Sequence, residues 1–117
     1  MAVITPRGYI NDIGAVCLEQ ESGQYLDNGL KKLVVNFSDV QFINTIGLSI
    51  FLSIVQNTQD HGSQLCFTNM KRDHLEIFEI AGLISHVKVF KDENAAFIYL
   101  NGRTSDGKKA ASQTTTV

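Results

Sequence analysis

A single hydroxyl stands at a junction in the middle of the chain, within the sequence FINTIG, residues 42–47. A strand-like run precedes it and an apolar, helix-like run follows it, so Thr45 stands immediately before a predicted helix. A threonine there predicts an N-cap, because its oxygen accepts a hydrogen bond from a free N–H group of the first turn. The same position also suits a phosphate, which the helix dipole and those N–H groups accommodate. The junction therefore predicts a capping residue, and modification is a compatible second role for the same side chain.

The remaining side chains that could support catalysis or bind a metal form no recognisable motif. Cys17 and Cys66 lack the Cys-x-x-Cys spacing of zinc sites and redox pairs, and we interpret both as small buried apolar side chains. The glycines form neither a GxGxxG nor a Walker loop. The histidines are well separated in the sequence and are interpreted as exposed surface residues: His61, His74 and His86. We expect no catalytic residue, no metal site and no cofactor, and an enzyme that uses a cysteine is the weakest alternative.

Length and charge limit the class of protein. The chain has 117 residues, which suits one domain, and its hydrophobic content of 44% is ordinary for a globular protein. The net charge of −2 argues against nucleic acid as a partner. The longest apolar stretch, IGLSIFLSIV, is well short of the roughly 20 residues that cross a bilayer, and the first residues lack the pattern of a secretory signal. We therefore expect a cytoplasmic protein without membrane insertion.

Strand and helix patterns alternate along the first half of the chain. Residues 2–10 predict the first strand, in which Pro6 favours an edge or a bend. A helix is predicted from Asp12, its expected cap, to the stop at Asn28-Gly29. The apolar run at 31–37 predicts a central strand, and the helix after Thr45 is expected to end at Gly62.

The second half of the chain continues the alternation and then becomes small and polar. Residues 63–70 predict a strand, and residues 72–83 predict a helix that Asp73 and Glu76 open as a capping box. A strand at 86–90 and a helix at 92–100 complete the pattern. The whole predicts an α/β fold, a single domain over residues 1–101 with a small, mostly parallel sheet and helices packed on it. Residues 102–117 are small and polar, and we expect a disordered tail there.

The helix after Thr45 has a broad apolar surface. The positions expected to be buried are Leu48, Phe51, Leu52 and Val55. Ser49 and Ser53 lie in a polar stripe, and Ile46 and Ile50 border that stripe. These two isoleucines are therefore candidates for contact with a partner.

Three segments, in order and spacing, resemble the STAS domain family, and most closely its bacterial anti-sigma factor antagonists. They are LVVNFSDVQFINTIGLSIFL (33–52), GYIN (8–11) and LEIFEIAGLISHVKVFKDENAAFIYL (75–100), and the resemblance spans about Ala2 to Leu100. Three residues depart from the commonest family motif, because Asn44 replaces Asp, Thr45 replaces Ser and Ile46 replaces a small or hydroxyl residue. Asn11 also stands where the first turn usually has Asp, although Asp12 follows it.

The resemblance implies a protein-binding switch that regulates transcription. An anti-sigma factor serine/threonine kinase would bind the unmodified domain, phosphorylate it and release it, and a serine/threonine phosphatase would restore it. Carried onto this sequence, the phosphorylated residue is Thr45. The residues expected in or near the partner-binding face are Asn11, Asp12, Asn44, Ile46, Gly47, Ser49, Ile50 and Ser53.

A second hypothesis within the same family is a constitutive scaffold or an accessory subunit of a stress-signalling or transport complex. The departures at Asn44 and Ile46 favour this alternative, because they change the surroundings of the expected phosphorylation site.

Overall fold

The computed structural model describes residues 1–101 and 115–116. The strands are β1 (Ala2–Ile4), β2 (Gly8–Ile10), β3 (Lys32–Asn36), β4 (Val40–Ile43), β5 (Gln64–Thr68), β6 (Lys88–Phe90) and β7 (Thr115–Thr116). The helices are α1 (Asp12–Asp27), α2 (Thr45–Asp60), α3 (Arg72–Ile80) and α4 (Glu93–Leu100), and a 3₁₀ helix spans Leu83–His86.

The main sheet has five strands in the order β6-β5-β3-β1-β7, and every neighbouring pair is parallel. Its centre is β3, in which Leu33, Val34 and Val35 are fully buried. A parallel strand that is covered on both faces has a continuous apolar sequence. The position of β3 could therefore be predicted correctly from the run at 31–37. The predicted α/β class with a mostly parallel sheet is confirmed.

A separate two-stranded sheet pairs β2 with β4 in parallel. The prediction of one strand over residues 2–10 is wrong, because the chain leaves the main sheet after Ile4 and Pro6 lies between two strands of different sheets. Strand β4 was not predicted. In β4, Val40 pairs with Gly8 and Phe42 pairs with Tyr9, so the register shifts between these two pairs. This irregularity breaks the alternation of buried and exposed residues by which a strand is recognised in a sequence.

Helices cover both faces of the main sheet. On one face α1, α2 and α3 pack over a core that contains four mutually contacting phenylalanines, with ring centroids 5.0–5.9 Å apart: Phe37, Phe51, Phe67 and Phe78. On the other face α4 places Ala96 and Leu100 against Val3, Val34 and Cys66. This second core explains the buried Cys66, whose thiol pKa is raised to about 11 by loss of solvation.

Several predicted helix ends and burial assignments need correction. Asn11, not Asp12, caps α1, and α3 begins after Lys71 without a side-chain cap, so the Asp73–Glu76 capping box is wrong. Cys17 is exposed, whereas a buried side chain was predicted. His74 is 5% exposed because it lies on the core side of α3, and His61 is half-buried, so neither is the exposed histidine expected.

On α2 the predicted burial is correct for Phe51 and Val55 and wrong for Leu52, which is 51% exposed. Leu48 is half-buried, and Ile54 is buried instead. The helix is covered by α1 and by the sheet, and its remaining side, which includes Leu52, faces solvent. The predicted ends at Asn28-Gly29 and Gly62 are confirmed, with positive φ angles of 91° and 68° at the two glycines.

The predicted polar tail falls largely outside the described residues. Residues 102–114 and 117 are not described, and Thr115–Thr116 form β7 beside β1. The domain boundary near residue 101 stays a prediction.

Candidate functional site

Two segments with the same residue pattern lie side by side at one end of the molecule. The first is YINDIG (9–14) and the second is FINTIG (42–47), and each runs from the end of a strand into the start of a helix. In the parallel pair β2–β4, Tyr9 lies opposite Phe42 and Ile10 lies opposite Ile43. The helices α1 and α2 therefore start next to each other. Six residues are too few to predict a repeat from sequence, and the match gains meaning only from the strand register.

Both helices are capped by the asparagine of this pattern. The Asn11 side-chain oxygen accepts the Gly14 N–H at 3.1 Å, and the Asn44 side-chain oxygen accepts the Gly47 N–H at 2.8 Å. The prediction of Thr45 as the cap is therefore wrong, because Thr45 is already the first residue of α2. Asparagine and threonine are both good caps, and the extended backbone of Asn44 decides which of two neighbours caps the helix.

Thr45 therefore does not cap α2. It is exposed, and among the described residues no side-chain hydrogen bond involves its hydroxyl, although its carbonyl accepts the Ser49 hydroxyl at 3.2 Å. Asp12 holds the equivalent first position of α1. The first turn of α2 carries no acidic residue, so its free N–H groups and dipole form a locally positive end next to the Thr45 hydroxyl.

Gly47 fixes the distance between α2 and β2. The Asn44 N–H donates to the Ile10 carbonyl at 3.1 Å, and a Cβ atom on Gly47 would lie 2.3 Å from that same oxygen. No side chain fits there without a backbone movement. Gly47 is buried, and its evident role is to let the start of α2 approach β2.

The other candidate residues differ in exposure. Ile46, Ser49 and Ser53 are exposed, whereas Asn11, Asn44 and Ile50 are half-buried. The β2–β4 pairing brings Asn11 and Asn44 together, and Ser49 and Ser53 follow one and two turns along α2. Ile50 packs against the main core, so less of it is available to a partner than of Ile46.

An exposed apolar surface near Thr45 was not predicted from the sequence. Tyr9 and Phe42 are 65% and 54% exposed, with ring centroids 5.9 Å apart on the outer face of the small sheet. Ile13 and Ile46, the equivalent residues in the two helix starts, are 73% and 51% exposed. We call these four residues the outer apolar patch. The neighbouring Ile10 and Ile43 are buried, and the sequence alone provided no signal that separated these outward aromatic residues from core residues.

The described residues contain no group of three or more histidine, cysteine or acidic side chains that could hold a metal ion. Over the same residues, no helix is both long and apolar enough to cross a membrane. The arrangement at Thr45 presents a free hydroxyl and an apolar surface, which suits contact with another protein.

The sequence profile of the STAS domain family matches residues 1–96. The chain belongs to the STAS domain family. A curated relative, BtrV of Bordetella bronchiseptica, is 26% identical over 96 residues, which are 82% of this chain and 83% of the relative, and its name assigns it provisionally to the anti-sigma factor antagonists.

Two solved structures show the same fold. The anti-sigma factor antagonist SpoIIAA in its unphosphorylated form matches with a TM-score of 0.70 and 14% identity, over 86% of this chain and 88% of that one. The STAS domain of a SulP transporter from Vibrio cholerae matches with a TM-score of 0.67 and 17% identity, over 86% and 80%. At these identities the comparison supports the STAS fold and does not separate the two kinds of protein.

Proposed function

We propose that this STAS domain is an anti-sigma factor antagonist that binds an anti-sigma factor kinase and is released when Thr45 is phosphorylated. The observation that carries the proposal is the exposed Thr45 at the first position of α2, with the capping role taken by Asn44. Because Asn44 supplies the cap, the Thr45 hydroxyl is exposed to a kinase, and a phosphate on it leaves the hydrogen bond between Gly47 and Asn44 in place.

The consequences of a phosphate at Thr45 follow from its position. The group carries about −1.5 to −2 charges, and the N-terminus of α2 stabilises negative charge, so the domain stays folded. The exposed Ile46 is the next residue, and the added charge and its hydration shell would disrupt apolar contacts made there by a partner. Modification therefore weakens docking without unfolding the protein.

Two relatives support this reading. BtrV is named among the anti-sigma factor antagonists, and SpoIIAA of Bacillus has been solved in a phosphorylated form with the same fold, at a TM-score of 0.66. By analogy the chain acts in the bacterial cytoplasm as a non-catalytic regulator of transcription, and a serine/threonine phosphatase returns it to the binding form.

A kinase assay tests the site directly. The purified chain is incubated with ATP and, in turn, with each anti-sigma factor kinase of the source genome, and the phosphorylated peptide is identified by mass spectrometry. We expect phosphate on Thr45 and none on a Thr45→Ala variant. Phosphate confined to Ser49 or Ser53 would refute the assignment.

The alternative is a STAS scaffold or an accessory subunit that is not switched by phosphate. It is favoured by Asn44 and Ile46, which replace the usual Asp and small residue beside the hydroxyl, and by the fold shared with the SulP transporter domain. Absence of any phosphorylation in the assay above would favour this alternative.

A further inference from the structure

We infer that helix α4 forms the interface of a symmetric dimer, in which the outer side of α4 packs antiparallel against α4 of a second copy of this chain. This interface lies on the face of the main sheet opposite to α2, so Thr45 stays exposed in both copies. The inference goes beyond the proposed function, and it depends neither on phosphorylation nor on a kinase.

Helix α4 is hydrophobic on all sides after its first turn. Its last six residues, AAFIYL (95–100), are all hydrophobic, whereas a helix at the surface of a globular protein has a polar side. Ala96 and Leu100 face the sheet and are buried. Ile98 lies on nearly the opposite side of the helix and is 58% exposed, and Tyr99 is 40% exposed. A helix that is hydrophobic all round is expected to be covered on its outer side as well.

The surface around α4 is apolar and uncovered by the described elements. Three helices pack on the other face of the main sheet, whereas this face has only α4, which is eight residues and about 12 Å long. The rings of Phe90 and Tyr99 lie 5.3 Å apart between α4 and β6. Within the described part of the chain, β6 is also an edge strand with no neighbour on its outer side. The outer side of α4 and the adjacent edge at β6 therefore form one surface.

The charges around this surface are complementary to a second copy in the antiparallel orientation. Asp92 and Glu93 lie at the start of α4, and Lys88 lies near its end, because Lys88 and Tyr99 border the same surface cavity. Among the described residues, none of these three charged groups forms an ion pair. Lys91 beside Asp92 lowers the negative charge at the start of α4 without cancelling it.

A two-fold axis through the middle of α4 uses these charges twice. It places the start of one helix beside the end of the other, so that Lys88 of each copy meets the acidic start of α4 in the other copy. The two helix dipoles are then opposed, which also favours this orientation. The pattern is self-complementary, and for that reason we assign the surface to a second copy.

The chain's own C-terminal residues are unsuited to cover this surface. Residues 102–117 contain no large apolar side chain, since their only apolar residues are Ala110, Ala111 and Val117. The surface is also small. A stable interface buries about 800 Å² on each partner, so β6 and the residues around the cavity must contribute with α4. We therefore expect a weak dimer, with a dissociation constant between about 1 μM and 1 mM.

Sedimentation equilibrium of the purified full-length chain, over that same range of concentration, measures the dissociation constant. The test variants are Ile98→Ser, which removes the apolar centre, and Lys88→Glu, which reverses the charge. The matched controls are on α3, on the other face of the sheet: Ile80→Ser, at a residue 88% exposed, and Arg72→Glu, at an exposed residue. Because both copies carry each substitution, we expect each test variant to raise the dissociation constant at least about tenfold and each control to leave it unchanged.

A wild-type chain that stays monomeric at the highest concentration would overturn the inference and leave the proposed function untouched. A dimer that Ile98→Ser does not weaken, or that Ile80→Ser weakens as strongly, would also overturn it, because the contact would then lie elsewhere. Circular dichroism and thermal melting establish that the variants fold. If Ile98→Ser does not fold, the comparison of Lys88→Glu with Arg72→Glu decides, and equal dissociation constants in that comparison would overturn the inference.

Discussion

Asn44 caps α2, and the neighbouring Thr45 is left without that role. Asn44 satisfies the Gly47 N–H at the start of α2, and Thr45 is left exposed with its hydroxyl free of side-chain hydrogen bonds among the described residues. The sequence predicted the start of a helix at this position, and modification of Thr45 stays a prediction. It assigned the cap to the wrong residue, because two good capping residues stand next to each other and only the backbone conformation distinguishes them.

This assignment of the cap predicts different stabilities for two alanine variants. Asn44→Ala removes the cap of α2 and is expected to lower the free energy of unfolding by about 1 kcal/mol, whereas Thr45→Ala is expected to change it by less than about 0.5 kcal/mol. Urea unfolding monitored by circular dichroism measures both. A larger loss for Thr45→Ala than for Asn44→Ala would return the capping role to Thr45.

A second prediction concerns the effect on stability of adding a side chain at Gly47. Gly47→Ala places a Cβ atom 2.3 Å from the Ile10 carbonyl oxygen, so we expect a loss of about 1–3 kcal/mol in spite of the better helix propensity of alanine. Gly23→Ala, in the interior of α1, is the control. Its added Cβ would be 3.9 Å from the nearest atom, the Asn57 side-chain nitrogen, so this variant should gain up to about 1 kcal/mol. Equal effects in the two variants would show that α2 does not depend on close approach to β2.

At the scale of elements, the parts that the sequence predicted are those with a continuous apolar run, as in β3, or with a recognisable helix start or stop, as in α1 and α2. The central strand β3 and helices α1 and α2 are found within a few residues of their predicted bounds. The small sheet was not predicted for two reasons. The sequence of β2 was interpreted as a continuation of β1, and the irregular register of β4 breaks the alternation of apolar and polar residues that identifies a strand. The outer apolar patch depends on that small sheet. It could not be predicted until the pairing of Tyr9 with Phe42 was known.

The far ends of α1 and α2 are joined by His61, and this contact predicts a dependence of stability on pH. One ring nitrogen, Nδ1, faces the Asn57 carbonyl at 2.8 Å and the other, Nε2, faces the Asp27 carboxylate at 3.1 Å. The hydrogen bond to Asn57, with smaller contributions from Asp27 and Asp60, raises the pKa of His61 above its ordinary 6.5. Only the imidazolium donates to both acceptors. The contact therefore stabilises the fold fully below pH 6.5 and loses this effect as the pH rises through the folded pKa.

We expect wild type to exceed His61→Gln in stability by more at pH 5.5 than at pH 8.5. Urea unfolding of the two proteins at both pH values measures the difference. A difference that is constant with pH would show that the charge of His61 does not contribute to the contact between the helices.

At the scale of the whole molecule, the order of strand, helix and motif segments was enough to predict the α/β class and the STAS family. The same evidence did not choose between an antagonist and a transporter-type domain, because both share this fold. The proposed function depends on a few surface residues around Thr45, and their arrangement becomes visible only when two distant segments, 9–14 and 42–47, are brought together.

The domain boundary predicts the effect of a truncation. Removing all residues after Gly102 is expected to leave the melting temperature nearly unchanged, because β7 contributes only two residues of pairing to β1. A thermal melt of the truncated and full-length chains measures this. A loss of more than several degrees, about 1 kcal/mol or more for a domain of this size, would place the boundary later in the chain.

The central claim is that one phosphate on Thr45 controls docking to the partner. Its most direct test is a comparison of the affinity of the kinase-type anti-sigma factor for the unmodified chain and for the chain phosphorylated only at Thr45, as verified by mass spectrometry. We expect the modified chain to bind roughly a hundredfold more weakly, a loss of about 2.8 kcal/mol, while its circular dichroism spectrum and melting curve show that it stays folded. Equal affinity of the two forms would contradict the account.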